Sequence, residues 1–293
     1  MHAPQTLIAH PWPDYALLDS GNGQKLERLG RFSIIRPEPQ AMWQPSAPAL
    51  WDKADGTFTG GQSEDDDAAG RWTFRTPPPE TFDLAWQDVR FQGRFTAFRH
   101  LAVFPEQAAQ WATVRDICKA SKKPLKVLNL FGYTGLMTLA AASGGAEVTH
   151  VDASKKSITW ARDNQILSGL EHRPIRWLVD DAMKFVAREV RRGTRYDGIV
   201  LDPPKYGRGP KNEIWRLFDD LPEMVAMCAQ LLSDEAKFMI LTAYAARLSS
   251  LSLNTLVREA VQRPGRFEYG ELALEEEVGK RLLSVALYAR WMT

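Results

Sequence analysis

From residue 126 onward the chain alternates short apolar runs with longer segments of mixed polarity, and the apolar runs end in glycine or carboxylates. Lys126-Val127-Leu128-Asn129-Leu130-Phe131 reads as a buried strand, followed by a tight turn at Gly132-Tyr133-Thr134-Gly135 and a helix opening over Leu136 to Ala142. Glu147 to Asp152 reads as a second strand, after which Ser154 is placed to cap a helix carrying Trp160, Ala161 and Asn164. A third strand over 175–179 ends at Asp180-Asp181. A fourth over 196–201 ends at Asp202-Pro203-Pro204, and a fifth covers 237–241. Helices are expected over 106–120, 213–232 and 250–262, and final strands near 267–274 and 282–290. This alternation predicts an α/β, Rossmann-like fold: a mostly parallel seven-stranded sheet with helices on both faces. The last two strands, close in sequence, predict one antiparallel addition at the edge.

Residues 1–100 have a different texture. Turn signals recur at Asp19-Ser20-Gly21-Asn22-Gly23, Pro37-Glu38-Pro39, Gly60-Gly61 and Pro77-Pro78-Pro79, and the runs 31–36 and 71–74 read as strands. The run Glu64-Asp65-Asp66-Asp67 reads as a solvated loop tip. Trp12, Trp43, Trp51, Trp72 and Trp86 suit a small core, with a stacking surface as the alternative. The expected division is a small β-rich domain over 1–100, available for substrate recognition, and a catalytic domain over 101–293.

Composition narrows the classes. Lys and Arg total 37 against 36 Asp and Glu, a formal net charge of +1, so global charge makes no case for nucleic acid, although a local basic face remains open. The two cysteines, Cys118 and Cys228, allow neither a disulfide framework nor a metal motif. No metal is expected, and His100 alone is no metal site. The opening Met-His-Ala-Pro lacks the features of a signal peptide, and no apolar run reaches 18 residues. A reduced, cytoplasmic setting without a membrane span is the expectation. Oligomeric state leaves no mark in the sequence.

The glycine turn lies between a strand and a helix, where ligands bind in a parallel sheet. Glycine lets the backbone approach a ligand without a Cβ clash. Asp152 ends the next strand, and a carboxylate there can accept two hydrogen bonds from ribose hydroxyls. The turn is not the G-x-G-x-x-G that fits a pyrophosphate, which disfavours a nicotinamide dinucleotide and favours a nucleoside cofactor. Asn129, Phe131, Gly132, Tyr133, Thr134, Gly135, Asp152, Ala153 and Ser154 are the expected cofactor contacts. Asp181 is the choice for the adenine amino group, with a helix cap as its structural alternative.

Asp202-Pro203-Pro204-Lys205-Tyr206 forms a corner stiffened by two prolines. Asp202, which also borders the cofactor, can hydrogen-bond a substrate amine, Lys205 can meet a negative group and Tyr206 can stack on a flat ring. These five residues are the expected catalytic set. Arg208 and Lys211 join Lys205 and Tyr206 as expected substrate contacts, and Arg99 and His100 are expected to line the cleft. Arg188, Arg191, Arg192 and Arg195 read as a solvated helix end.

These residues resemble the class I methyltransferases, and more closely the large-subunit ribosomal RNA methyltransferase family. The likeness lies in Val127 to Gly135, in His150-Val151-Asp152-Ala153-Ser154-Lys155-Lys156 followed by Trp160 to Asn164, and in Asp202-Pro203-Pro204-Lys205, and it spans about residues 95–290. It implies S-adenosylmethionine, with Gly132 and Gly135 beside the amino-acid part, Asp152 on the ribose and Asp181 on the adenine, and S-adenosylhomocysteine as product. It also implies a base in RNA, ribosomal RNA, as acceptor. The segment 98–107 departs from the K-T-G-x-F-x-D-x-R-like pattern of relatives. The cysteines that serve cytosine C5 methylation are missing from Asp202-Pro203-Pro204-Lys205 and from Leu241-Thr242-Ala243-Tyr244. Transfer to a purine nitrogen is therefore the leading expectation. A methyltransferase for a protein side chain or small molecule, and a noncatalytic cofactor-binding module, are the alternatives.

Overall fold

The early turn signals separate short strands. In the computed structural model, which describes residues 3–60, 70–97, 101–244 and 247–293, these are β1 (Gln5–Ala9), β2 (Tyr15–Gly21), β3 (Gln24–Leu29), β4 (Phe32–Pro37), β5 (Gly56–Gly60), β6 (Gly70–Phe74), β7 (Phe82–Trp86) and β8 (Val89–Gly93), with the short helix α1 (Pro48–Trp51) after β4. Strands β2 to β6 form a five-stranded sheet in sequence order, and β7 and β8 form a separate ribbon. Asn22 and Gly23, at φ 55° and 73°, make the two-residue turn between β2 and β3. The acidic run 64–67 lies outside the described residues.

Residues 8–108 and 273–285 form one unit, and residues 1–7, 109–272 and 286–293 the other. The first unit encloses two ionic clusters. Glu27 accepts two bonds from Arg36, at 2.7 and 2.8 Å, and the Tyr15 hydroxyl at 2.8 Å. Burial opposes the charge on Glu27, but Arg36 and Lys25 outweigh it and hold the carboxyl down to about 2. In the second cluster Asp19 and Glu276 are fully buried, and Arg281 reaches both, at 2.9 Å to Asp19 Oδ1 and 2.8 Å to Glu276 Oε2. Trp51 donates to Asp19 at 2.9 Å and Trp43 to the Ser20 carbonyl at 3.1 Å. Trp72 stacks on Phe74 and meets Phe95. These tryptophans serve packing.

The second unit carries the α/β layers. A 3₁₀ turn at Pro105–Gln107 leads into α2 (Ala108–Ala120). Then follow β9 (Lys126–Leu130), α3 (Leu136–Ser143), β10 (Glu147–Asp152), α4 (Lys155–Leu167), β11 (Ile175–Val179), α5 (Ala182–Arg192), β12 (Gly198–Leu201), β13 (Tyr206–Arg208), β14 (Ile214–Arg216), α6 (Leu217–Gln230), β15 (Phe238–Ala243), α7 (Ser250–Ala260), β16 (Arg266–Glu275) and β17 (Leu282–Met292). The main sheet has the order β1-β16-β17-β15-β12-β9-β10-β11. The Rossmann-like expectation holds, with the seven expected strands present. β1 adds an eighth.

Two details differ from expectation. The antiparallel strand β17 lies between β15 and β16 and not at an edge. Its last five residues are all buried, which suits a strand paired on both sides. The helix expected from 213 begins at Leu217, because Ile214–Arg216 pair with Tyr206–Arg208 and Arg216 keeps an extended φ of −129°. Asp219 and Asp220 lie in its first turn, where the helix dipole favours carboxylates.

Arg281→Met should strand two buried carboxylates. Breaking a buried pair typically costs about 3–5 kcal/mol, and the partial exposure of Arg281 places the expected loss near the lower end. Urea denaturation followed by tryptophan fluorescence measures it; a loss under about 1 kcal/mol would show the cluster to be dispensable.

Candidate active site

The parallel register lines up the strand ends. Val151 pairs with Leu130, Leu130 with Leu201, and Leu201 with Leu241, so Asp152, Phe131, Asp202 and Thr242 stand at one level at the carboxyl edge. The two sequence-derived loops are thereby neighbours, and the Asp202 amide donates to the Leu130 carbonyl at 3.4 Å.

The turn after β9 is tightly wound. Phe131, Tyr133 and Gly135 take positive φ values of 57°, 48° and 85°. Gly132 must be glycine, since a Cβ there would lie 2.3 Å from His150 Cε1, and one at Gly135 would lie 2.9 Å from Ala161 Cβ. Asp152 holds the turn: its Oδ2 accepts from the Tyr133 amide at 2.9 Å and its Oδ1 from the Ser154 amide at 2.8 Å. Burial raises the pKa of this half-buried carboxyl, and the two amides counter it. A carboxylate has about four lone-pair sites, so about two remain for ribose hydroxyls, and the group fits a nucleoside at this place.

Beneath the turn lies a polar network that sequence reasoning missed. Asn129, placed among the cofactor contacts, is buried and donates to Thr138 Oγ1 at 2.9 Å, which in turn lies 2.9 Å from His150 Nδ1. His150 is fully buried against Trp177, with ring centroids 4.6 Å apart. Thr134 is buried, and its carbonyl accepts from Asn164 at 3.0 Å. Ser154 is exposed and caps α4 through the Ser157 amide at 3.2 Å; Ala153 is half-buried beside it. Asp181 caps α5, its Oδ1 accepting from Lys184 N at 2.9 Å, while Asp180 pairs with Arg188.

A family model described as S-adenosylmethionine-dependent methyltransferase matches residues 35–249. The chain belongs to that family. The methyltransferase is similar to a crystal structure of an S-adenosylmethionine-dependent methyltransferase from Agrobacterium tumefaciens, at 48% identity and a TM-score of 0.93, covering 99% of this chain and 94% of that one. Shorter stretches match curated relatives. One is ribosomal RNA large subunit methyltransferase K/L of Shewanella baltica, 38% identical over 100 residues, which is 34% of this chain and 14% of that protein. Another is ribosomal RNA large subunit methyltransferase I of Klebsiella pneumoniae, 39% identical over 82 residues, 28% of this chain and 20% of that protein. S-adenosylmethionine is the cofactor, and S-adenosylhomocysteine the product.

In this methyltransferase the Asp202 corner is clamped from below. Trp215 donates from Nε1 to the Pro204 carbonyl at 2.7 Å and packs on Phe131 of the turn after β9, with centroids 5.0 Å apart. The Leu217 amide donates to the Lys205 carbonyl at 3.0 Å. Pro203 is buried and Asp202 half-buried, whereas Pro204, Lys205, Tyr206, Arg208 and Lys211 are exposed. Arg99 and His100 lie outside the described residues. Among the described residues no helix is long and apolar enough to cross a membrane, and no three His, Cys, Asp or Glu side chains gather as a metal site requires.

Asp152→Ala should weaken S-adenosylmethionine binding about 10–100-fold, since hydrogen bonds to a charged group are worth about 1.5–3 kcal/mol. Isothermal calorimetry reads this, and unchanged affinity in a folded variant would remove the ribose contact. A second outcome concerns acid stability. Burial pushes His150 down to about 3, whereas the unfolded imidazole titrates near its ordinary 6.5. Between those values the unfolded state binds the extra proton. Stability should therefore be fully present above pH 6.5 and fall toward pH 3, by up to about 1.4 kcal/mol per unit from this residue. A His150→Asn variant that folds should show a shallower slope in that window; an unchanged slope would assign the acid sensitivity elsewhere.

Proposed function

We propose that this methyltransferase acts on a base in RNA, specifically a purine nitrogen of ribosomal RNA. The observation that carries the reading is the Asp202-Pro203-Pro204 corner, rigidly held beside the cofactor turn and provided with a carboxylate but no thiol. Cytosine C5 methylation generally needs a thiolate beside the base. Here Cys228 packs inside α6 with its sulfur 3.8 Å from that of Met224, and Cys118 lies buried in α2. Burial pushes the Cys118 thiol up to about 12 and raises Cys228 further.

A purine nitrogen needs no thiol. Held by the turn from Phe131 to Gly135 and by Asp152, S-adenosylmethionine would supply an electrophilic methyl to a nitrogen lone pair, with S-adenosylhomocysteine as the leaving product. In this reading Asp202 accepts a hydrogen bond from the acceptor N–H and takes up the proton released after transfer. Lys205, Arg208 and Lys211 meet phosphates, and Tyr206 stacks on the base, which leaves its own stack to enter. Gly132, Tyr133, Thr134 and Gly135 border the amino-acid part of the cofactor, Asp152 holds the ribose, and Asp181 uses the oxygen not engaged in its cap for the adenine amino group. Asn129 supports the turn from beneath. The names of the curated relatives support RNA as the acceptor, and a cytoplasmic setting goes with that reading.

The test is transfer from tritiated S-adenosylmethionine to fractionated RNA and protein from a strain lacking the gene, followed by nucleoside mass spectrometry. Label is expected in ribosomal RNA as an N-methylpurine; label confined to protein or small molecules would overturn the proposal. In single-turnover assays Asp202→Ala should slow transfer by at least about 100-fold, while cofactor affinity changes little. The Cys118→Ser, Cys228→Ser double variant should keep at least about a tenth of the rate, allowing for packing damage. A trapped base–cysteine adduct would reverse the mechanism.

A further inference from the structure

The hairpin β13–β14 leaves one face without a partner inside its own unit. Tyr206 pairs with Arg216 and Arg208 with Ile214, so these four side chains share one face of the two-stranded ribbon. Gly207 and Trp215 occupy the other face, where Trp215 is buried. The outward face is wet: Tyr206 is 43% and Ile214 51% exposed, both arginines are exposed, and Phe218, two residues past Arg216, is 56% exposed.

Its charge is one-sided. The four outward positions carry two arginines and no carboxylate. Glu213, in the connecting turn, is turned away, taking the Lys211 amide at 2.8 Å and the Lys184 ammonium at 2.6 Å. The Asp220 carboxylate takes the Arg216 backbone amide at 2.6 Å. No ion pair holds the Arg208, Lys211 or Arg216 side chains among the described residues. The ribbon is also stiff for a surface hairpin, because the Trp215–Pro204 bond, the Leu217–Lys205 bond and the turn bond from Gly209 N to Glu213 O, at 2.9 Å, fix both ends.

We propose that this face is a docking platform for a single-stranded segment of RNA flanking the target nucleotide. The proposal rests on the RNA reading above and deepens it by naming the form of the acceptor. Cations alternating with flat or apolar side chains suit a strand whose bases are unstacked, because the arginines meet phosphates, Ile214 meets the base face of a flanking nucleotide, and Tyr206, where the ribbon leaves the corner, keeps the target base as above. A duplex hides those base faces and leaves the apolar positions without a partner. The ribbon starts at the catalytic corner itself, since Tyr206 directly follows Lys205. A strand laid on it therefore runs toward the methyl-transfer site, and the platform helps determine which nucleotides beside the target are accepted.

The experiment measures fluorescence anisotropy of a single-stranded RNA of about 12 nucleotides, and of the same sequence as a duplex, across a salt series with cofactor product present. An Arg208→Gln, Arg216→Gln double variant is expected to bind the single strand about 10–100-fold more weakly at low salt. Each lost phosphate contact should lower the salt slope by about 0.7. Arg208→Lys, Arg216→Lys should restore the slope. Tyr206→Ala should weaken binding with little change in slope, as stacking requires. Unchanged S-adenosylmethionine affinity certifies the fold of each variant. If the wild-type enzyme binds and methylates RNA but these variants bind as it does, or if duplex is preferred, the platform is overturned and the RNA reading stands. If the wild type binds neither form, both fall.

Discussion

Phe131 and Tyr133 hold left-handed backbone conformations without being glycine, each at a cost of about 1–2 kcal/mol. The Asp152 carboxylate secures that conformation by accepting the Tyr133 amide. One side chain thus holds both sides of the turn, accepting the Tyr133 and Ser154 amides. The close seat of Gly132 on His150 makes the same turn rigid from below, because no side chain fits between them. The buried network of Asn129, Thr138 and His150 packs directly beneath this strained bend.

Trp215 carries that order across to the chemistry. Its indole N–H binds the Pro204 carbonyl while its ring packs on Phe131. The loops after β9 and β12 are therefore held by one residue, and little relative freedom is left between them. Its bond to Pro204 also roots the ribbon in the corner, so the basic outward face and the Asp202 loop share a support.

The central strands were readable because parallel strands buried on both faces are rich in apolar residues, clearest in Gly198–Leu201, which runs straight into Asp202; Asp152 closes a strand broken by Thr149 and His150 and is legible from its place after the glycine turn. What escaped depends on distant or very short elements. The strands Tyr206–Arg208 and Ile214–Arg216 are too short to show a period, and Ile214 to Phe218 reads equally well as the start of a helix. That hid Trp215. Strand β1 shows no local sign of its pairing with β16, more than 250 residues away. His150 sat in an apolar strand pattern with nothing to announce that Gly132 and Thr138 close over it. Asp181 shows the opposite difficulty: the same residue type in the same place suits a helix cap and an adenine contact, and the cap is realised through one oxygen.

Arg281 and Glu276 belong with Asp19 and Ser20, although the chain between them runs through most of the α/β unit. That separation sets an order of events during synthesis. Ribosomes add about 5–20 residues per second, so Asp19 waits for more than 250 further residues before its guanidinium arrives. Until then Asp19 lacks the guanidinium that pairs with it in the folded chain. The first-made strands therefore cannot finish their ionic core from local contacts, and its closure is a pairing of long sequence separation, the kind that forms slowly.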